Sequence, residues 1–223
     1  MSDSFPEANP SAPSPSSRVI RWILQLAGFG VFVIVVLVIF GFIFPREYRM
    51  SRSITIEAPA DRIYDKLASM RAWQEWSNWT EKNPNLTGIK NEYEGPESGT
   101  GSTWRWEHPS GNGVQKVTQA DRFFRLEVTT TFGDYPPMIN SIELEPLNDT
   151  DVKVNWDVVG HVRQGPIDGW FSLFLPSMMA PDFEIGLANL KQLCEQEYRD
   201  NPVDETAAEE TPDPNRPQET VRQ

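Results

Sequence analysis

The residues best suited to acid–base chemistry in this sequence are two histidines and the carboxylates near them. Glu107 and His108 end one predicted strand, while Asp157 lies shortly before His161 near the end of another. A carboxylate or imidazole within reach of a substrate proton can act as a general base. Strand alternation places Glu107 and Asp157 opposite the apolar face, whereas catalytic groups usually lie in a cleft. We therefore expect solvent-facing roles, and Glu107, His108 and Asp157 stay as alternative catalytic candidates only.

The chain contains few residues suited to metal, redox or phosphate chemistry. A single cysteine, Cys194, excludes an intramolecular disulfide and any paired-cysteine zinc or redox site, and only two histidines are present. Residues 95–101 are glycine-rich but contain no lysine and precede a predicted strand, so they predict a turn rather than a phosphate loop. We predict no metal site and no cofactor.

Charge restricts the kind of partner. The 223 residues carry 20 Lys and Arg against 32 Asp and Glu, a formal net charge of −12. Nucleic-acid binding needs a concentrated basic surface, so this balance argues against it. Residues 199–223 contain seven acids, three arginines and four prolines, which predicts a disordered acidic tail. Such a tail could dock a basic protein, but a solvated tail is the simpler interpretation.

One segment has the length and composition of a membrane anchor. Residues 22–44 contain no charged side chain and one strongly polar residue, Gln25, with arginines on both sides. About 20 apolar residues suffice to cross a bilayer as a helix. The stretch exceeds a signal-peptide core, and no cleavage motif follows it. We predict a disordered Pro/Ser-rich leader at 1–17 and an uncleaved single-pass anchor at 18–46, with its orientation undecided.

The remaining residues, 47–198, predict one folded domain of the α+β class. A strand over residues 53–57 precedes a short amphipathic helix, and alternating strands follow from residue 102. Phe124, Leu126, Val128, Thr130 and Phe132 alternate onto one face of such a strand. Apolar residues at helical spacing predict a terminal helix over residues 180–198. This order predicts a curved antiparallel sheet with one apolar face wrapped around the helix.

Large apolar side chains cluster on the predicted inner face. They can fill an ordinary core, or they can leave room for an apolar ligand at the wide end of the sheet. The residues alone leave both interpretations open. The candidate cavity residues are Trp104, Trp106, Leu126, Val128, Phe132, Ile142, Leu144, Trp156, Phe183, Leu187 and Leu190.

An ordered series of short motifs resembles a known superfamily. The series consists of Ile54-x-Ile56-x-Ala58-Pro59, Trp73-x-x-Trp76-Ser77-x-Trp79, Gly95…Gly99-x-Gly101-Ser102-x-Trp104, Trp156 and Gly186-Leu187-x-x-Leu190-Lys191. Over residues 48–198 it is similar to the SRPBCC (START/Bet v 1-like) superfamily, in its polyketide cyclase/dehydrase-like branch.

The resemblance implies a helix-grip fold that encloses a hydrophobic cavity. Members bind lipids, sterols, polyketides or other apolar molecules, and some are aromatase/cyclases, but no fixed catalytic motif transfers to this chain. We therefore expect a membrane-anchored binding or transport module for a hydrophobic small molecule or lipid, and not an enzyme. The alternatives are a cyclase/dehydrase-type enzyme and a structural or interaction protein with a filled core.

Overall fold

The computed structural model describes residues 15–80 and 83–202. Of the predicted disordered leader at 1–17, residues 1–14 lie outside the described residues, while residues 15–17 belong to the first helix. Of the predicted disordered tail at 199–223, residues 203–223 lie outside the described residues, while residues 199–200 end the last helix. The helices are α1 (Pro15–Ile43), α2 (Ala60–Ala68), α3 (Trp73–Trp76) and α4 (Pro166–Asp200), with a 3₁₀ turn at Pro84–Leu86. The strands are β1 (Glu47–Glu57), β2 (Lys90–Glu94), β3 (Thr103–Glu107), β4 (Gly113–Asp121), β5 (Arg125–Phe132), β6 (Met138–Pro146) and β7 (Asp151–His161).

The strands form one antiparallel sheet in the order β1-β7-β6-β5-β4-β3-β2. Consecutive strands from β2 to β7 are neighbours, as expected for a meander joined by short turns. The first strand pairs with the last, from Glu47 opposite His161 to Glu57 opposite Asp151. This pairing brings the two chain ends of the domain together, so that α1 and α4 meet at one edge of the sheet.

Helix α4 lies against the apolar face of the sheet. Its buried residues include Phe183, Leu187, Leu190 and Cys194, the stripe that the sequence predicts. The curved sheet and long terminal helix form the helix-grip fold, so the predicted fold class is confirmed.

The terminal helix is longer than its apolar stripe predicts. It begins at Pro166, a position where proline loses no helical hydrogen bond, and it continues through Pro176 and Pro181. The predicted start near residue 180 rests on the apolar stripe that begins at Phe183, although interior prolines ordinarily interrupt helices. This first half of α4 packs against α1.

Helix α1 carries the predicted anchor. Val19–Ile43 is long and apolar enough to cross a membrane, and nearly all its side chains are exposed. Its C-terminal end contacts α4. The indole Nε1 of Trp170 donates to the carbonyl of Leu37 at 2.9 Å, and the Trp170 ring meets Phe44 edge-on at 4.7 Å. The hydroxyl of Ser172 donates to the carbonyl of Pro45 at 2.8 Å.

Two glycines allow α1 and α4 to approach at backbone distance. A Cβ at Gly169 would overlap the carbonyl oxygen of Gly41, and a Cβ at Gly41 would overlap the carbonyl of Pro166. Arg46 bridges the same junction, donating to the carbonyls of Gly165 at 2.6 Å and Gly41 at 3.0 Å. The helices therefore meet through main-chain contacts that larger residues could not make.

Candidate ligand-binding site

Three tryptophans fill the centre of the domain. The rings of Trp73 and Trp76 lie 4.8 Å apart and stand 5.5 and 5.8 Å from Trp156, which also meets Phe183 at 4.5 Å. Helix α3 positions the first two rings. Their Nε1 groups donate to the carbonyls of Leu67 at 2.8 Å and Lys66 at 3.2 Å, near the end of α2, where helical carbonyls lack partners.

A second aromatic group lies toward the strand β3 side. Trp104 and Trp106 lie 4.8 Å apart, and Phe132 stands 5.3 Å from Trp106 and 5.4 Å from Trp79. Gly113 opposes Trp106 across the β3–β4 pair, and a Cβ there would overlap the indole ring. The absence of a side chain at this position therefore makes room for the ring inside the sheet.

These two aromatic groups leave a central cavity of only about 20 Å³. That space suits one water molecule and excludes a sterol or an acyl chain. Five predicted cavity residues line it: Trp104, Trp106, Phe132, Trp156 and Phe183. The other six are buried core residues away from it: Leu126, Val128, Ile142, Leu144, Leu187 and Leu190.

The polar groups that the strands contribute to the interior are neutral, and the carboxylate that lines the central cavity, Asp182, comes from α4. Asn140, fully buried, donates through Nδ2 to the carbonyl of Val128 and the hydroxyl of Thr130, both at 3.1 Å. Its Oδ1 accepts from Nε1 of Trp156 at 3.2 Å. Gln115 lines the central cavity, and its buried Oε1 has no hydrogen-bond partner among the described residues. This network fixes the Trp156 ring and contains no charged acid or base.

A larger apolar site lies at the end of the sheet nearest α1. We call it the side groove; its volume is about 320 Å³, which is within the range of small-molecule sites. Its walls come from β1, β5, β6, β7 and α4. The lining residues are Tyr48, Trp79, Phe132, Tyr135, Pro136, Met138, His161, Val162, Phe171, Leu175 and Met179.

Few polar groups face the side groove. The Tyr48 hydroxyl donates to Sδ of Met138 at 3.8 Å, and burial raises the pKa of Tyr48, so the hydroxyl stays protonated. His161 Nε2 lies 3.7 Å from Glu47 Oε2. Arg163 donates to the Tyr135 hydroxyl at 3.1 Å. The groove thus combines apolar walls with a polar rim.

Of the predicted cavity residues, only Phe132 lines the side groove. His161, considered for acid–base chemistry, and Trp79, part of a family motif, also line it, but neither was predicted as a cavity residue. The others were missed because they lie on β1, β6, β7, α4 and the loops between elements, and those on α4 belong to its unpredicted first half. A signal was present. Residues 166–181 contain a single charged side chain, Asp168, among many large apolar ones. A stretch with so few charges, directly before a predicted helix, indicates that the helix begins earlier and that this earlier part contacts an apolar surface.

The alternative catalytic candidates lie elsewhere. The Glu107 side chain is exposed on the outer face of β3, 4.0 Å from Lys90 Nζ. His108 lies in the following turn, where its Nδ1 accepts from the Ser110 amide at 3.1 Å. Asp157 is exposed on the outer face of β7. These three line neither the central cavity nor the side groove.

Within residues 15–80 and 83–202, no cluster of three or more metal-ligating side chains occurs.

The buried cysteine on α4 should be chemically inert in the folded chain. Burial raises the pKa of Cys194 from 9.0 to about 12. Because only the thiolate reacts, the ionised fraction at pH 8 falls about a thousandfold for this shift. We expect iodoacetamide to modify the native full-length chain at least a hundredfold more slowly than the chain in 8 M urea, measured by mass spectrometry. Equal rates in the two states would contradict the burial.

The fold and the side groove define a helix-grip protein with an apolar groove at one end of its sheet. A family model described as polyketide cyclase / dehydrase and lipid transport matches residues 47–195, and the chain belongs to this family. No curated protein matches the chain.

Solved structures of low sequence identity are similar to about two thirds of the chain. Protein CV1439 from Chromobacterium violaceum is 18% identical, covers 68% of this chain and 98% of its own, and has a TM-score of 0.47. A norcoclaurine synthase point mutant from Thalictrum flavum, in complex with a transition-state analogue, is 15% identical with coverages of 68% and 96% and a TM-score of 0.48. Ara h 8.0201 is 15% identical, with coverages of 70% and 99% and a TM-score of 0.47.

Proposed function

We propose that this protein is a membrane-anchored binding or transport module for a hydrophobic small molecule or lipid, whose apolar part occupies the side groove. The observation that carries the proposal is the groove itself: about 320 Å³ with mostly apolar walls, beside the helix that is long enough to span a membrane. The family of lipid-transport and cyclase proteins to which the chain belongs supports the same class of ligand.

The groove, and not the centre of the domain, is the site we propose. The central cavity of about 20 Å³ is too small for any apolar ligand of this class. Transferring one methylene group from water to an apolar wall contributes about 0.8 kcal/mol, so the affinity of a ligand should rise with each methylene that it places in the groove. The rim groups His161 and Arg163 could then orient a polar end.

The cyclase/dehydrase alternative receives less support. Glu107 and Asp157 face outward on the sheet, and His108 lies in a turn, so none of these groups lies at the side groove. His161 lines the groove and lies 3.7 Å from Glu47, which does not line it, and both side chains are about half exposed. A binding function requires only the apolar walls of the groove, whereas an enzyme would also require a catalytic group there. The binding function therefore explains the geometry with fewer assumptions.

Filling the groove should abolish ligand binding. Leu175 lines it from α4, so Leu175→Trp would occupy the space with an indole ring. We expect native mass spectrometry of the full chain, purified in mild detergent, to show at least tenfold less co-purified lipid or other apolar ligand than in the wild type.

The matched control is Leu173→Trp on the same helix. Leu173 is exposed and does not line the groove, so the same chemical change should leave ligand occupancy unaltered. Equal occupancy in the two variants, or a wild-type chain that never carries a ligand after incubation with phospholipid vesicles, would overturn the proposal.

A further inference from the structure

The first half of α4 carries an exposed apolar stripe. Ile167, Phe171, Phe174 and Met178 recur at i, i+4, i+7 and i+11, which places them on one helical face. Their exposed fractions are 81%, 38%, 58% and 60%. A continuous row of large exposed apolar side chains marks an interaction surface, since isolated ones are the rule on soluble proteins.

Contacts with α1 fix the position of this stripe. The Trp170 indole donates to the carbonyl of Leu37, which precedes the end of α1 at Ile43 by six residues. At 1.5 Å per residue, α4 therefore reaches about 9 Å along the apolar helix. The backbone contact of Gly169 with Gly41 makes this placement rigid. If α1 spans a bilayer, the first half of α4 must lie at the same boundary.

The charge distribution on this part of α4 agrees with such a position. Residues 166–181 carry one charged side chain, Asp168. It is mostly buried, and its Oδ1 lies 3.6 Å from Arg163 Nη2. Charged groups on α4 otherwise begin at Asp182, after the stripe has ended. A helix with an apolar face at this level suits the boundary between lipid headgroups and acyl chains.

The stripe also borders the side groove. Phe171 belongs to both, and Leu175 and Met179 line the groove on the adjoining face of the helix. A bilayer that covers the stripe would therefore cover the edge of the groove formed by α4. The groove would then exchange its occupant with the hydrocarbon layer and not with water.

We propose that residues 166–179 lie in the bilayer interface with the apolar stripe against lipid acyl chains, and that the side groove takes a bilayer lipid laterally. This inference rests on the membrane anchoring in the proposed function. It adds a second contact between the protein and the bilayer, names a bilayer lipid as the ligand, and states that this lipid enters the groove from the side. The occupant of the stripe is the membrane that already surrounds α1.

Site-specific labelling of the full chain in phosphatidylcholine vesicles tests the inference. Phe174→Cys and Met178→Cys report on the stripe, Ile34→Cys on the middle of α1, and Ala188→Cys on an exposed position further along α4. Cys194 is buried and need not be replaced. Each cysteine carries an environment-sensitive fluorophore, quenched either by iodide in the water or by spin-labelled phosphatidylcholine in the bilayer.

We expect the fluorophores at residues 174, 178 and 34 to be quenched by spin-labelled lipid, and iodide quenching there to be at least fivefold weaker than at residue 188. Iodide quenching at 174 and 178 equal to that at 188, with 34 still quenched by lipid, overturns the inference and leaves the anchor standing. Protection from both quenchers at 174 and 178 indicates a covering protein or second copy, and it also overturns the inference. Iodide quenching at 34 refutes the anchor and this inference together.

Discussion

Trp156→Ala should lower the free energy of unfolding by about 3–5 kcal/mol, the usual cost of truncating a buried tryptophan. The Trp156 ring stands 4.5 Å from Phe183 and contacts Trp73 and Trp76, so its removal leaves a cavity that three large rings cannot easily close. Removal also leaves Oδ1 of the fully buried Asn140 without its indole donor. Unfolding in urea, followed by the onset of Cys194 alkylation, measures the loss.

Two further variants separate packing from polar effects. Trp156→Phe keeps most of the ring but removes the N–H to Asn140, so we expect a smaller loss of about 1–3 kcal/mol. Phe124→Ala removes a large aromatic that is 66% exposed and should change stability by less than about 0.5 kcal/mol. A loss for Trp156→Ala no greater than that for Phe124→Ala would contradict a filled aromatic core.

Gly169→Ala should weaken the junction of α1 and α4 by about 1–3 kcal/mol, the usual cost of overpacking. The added Cβ would overlap the carbonyl group of Gly41, and because this group belongs to the backbone, the helices must move apart. Separation also lengthens the Trp170–Leu37 hydrogen bond and the contact of Trp170 with Phe44.

A second glycine of α4 supplies the control with the opposite expected sign. At Gly186 the nearest atoms to an added Cβ are ring carbons of Trp76 at 3.5 and 3.7 Å, an ordinary contact distance. Gly186→Ala should therefore gain up to about 1 kcal/mol from helix propensity.

Hydrogen exchange of the full chain distinguishes the two glycine variants. Every 1.4 kcal/mol corresponds to a tenfold change, so amides of residues 168–173 should exchange about 5- to 150-fold faster in Gly169→Ala. They should not accelerate in Gly186→Ala. Equal exchange in both variants would show that the two helices are not held by the Gly41–Gly169 contact.

The centre of the domain is filled, so the larger apolar space is the side groove at the end nearest α1. Trp73, Trp76 and Trp156 occupy the space under α4 that a ligand would otherwise take. The groove that remains combines Tyr48 and Met138 from the sheet with Leu175 from the helix half that contacts α1. The side groove and α1 therefore lie at the same end of the molecule, and α4 both lines the groove and contacts α1.

Local periodicity determined the fold class from sequence. Alternation with a period of two identified the inner positions Trp104, Val128 and Trp156, and a period of 3.6 identified Phe183, Leu187 and Leu190. These patterns depend only on residues that are close together along the chain. Phe124 shows their limit. It fits the alternation of β5 but lies in the preceding turn, where Phe123 adopts a φ of 69° and the chain reverses before the strand begins at Arg125.

The sequence by itself determined which faces are apolar and that one apolar segment stands apart from the domain. Only the tertiary structure decided whether the apolar faces enclose a cavity. The alternation of β7 predicts that the Trp156 side chain points to the inner face. It does not predict that Trp73 and Trp76, about 80 positions earlier in the chain, pack against it. Cavity volume depends on the distance between surfaces that are remote along the chain, and it appears only when β1, β5, β6, β7 and α4 are brought together.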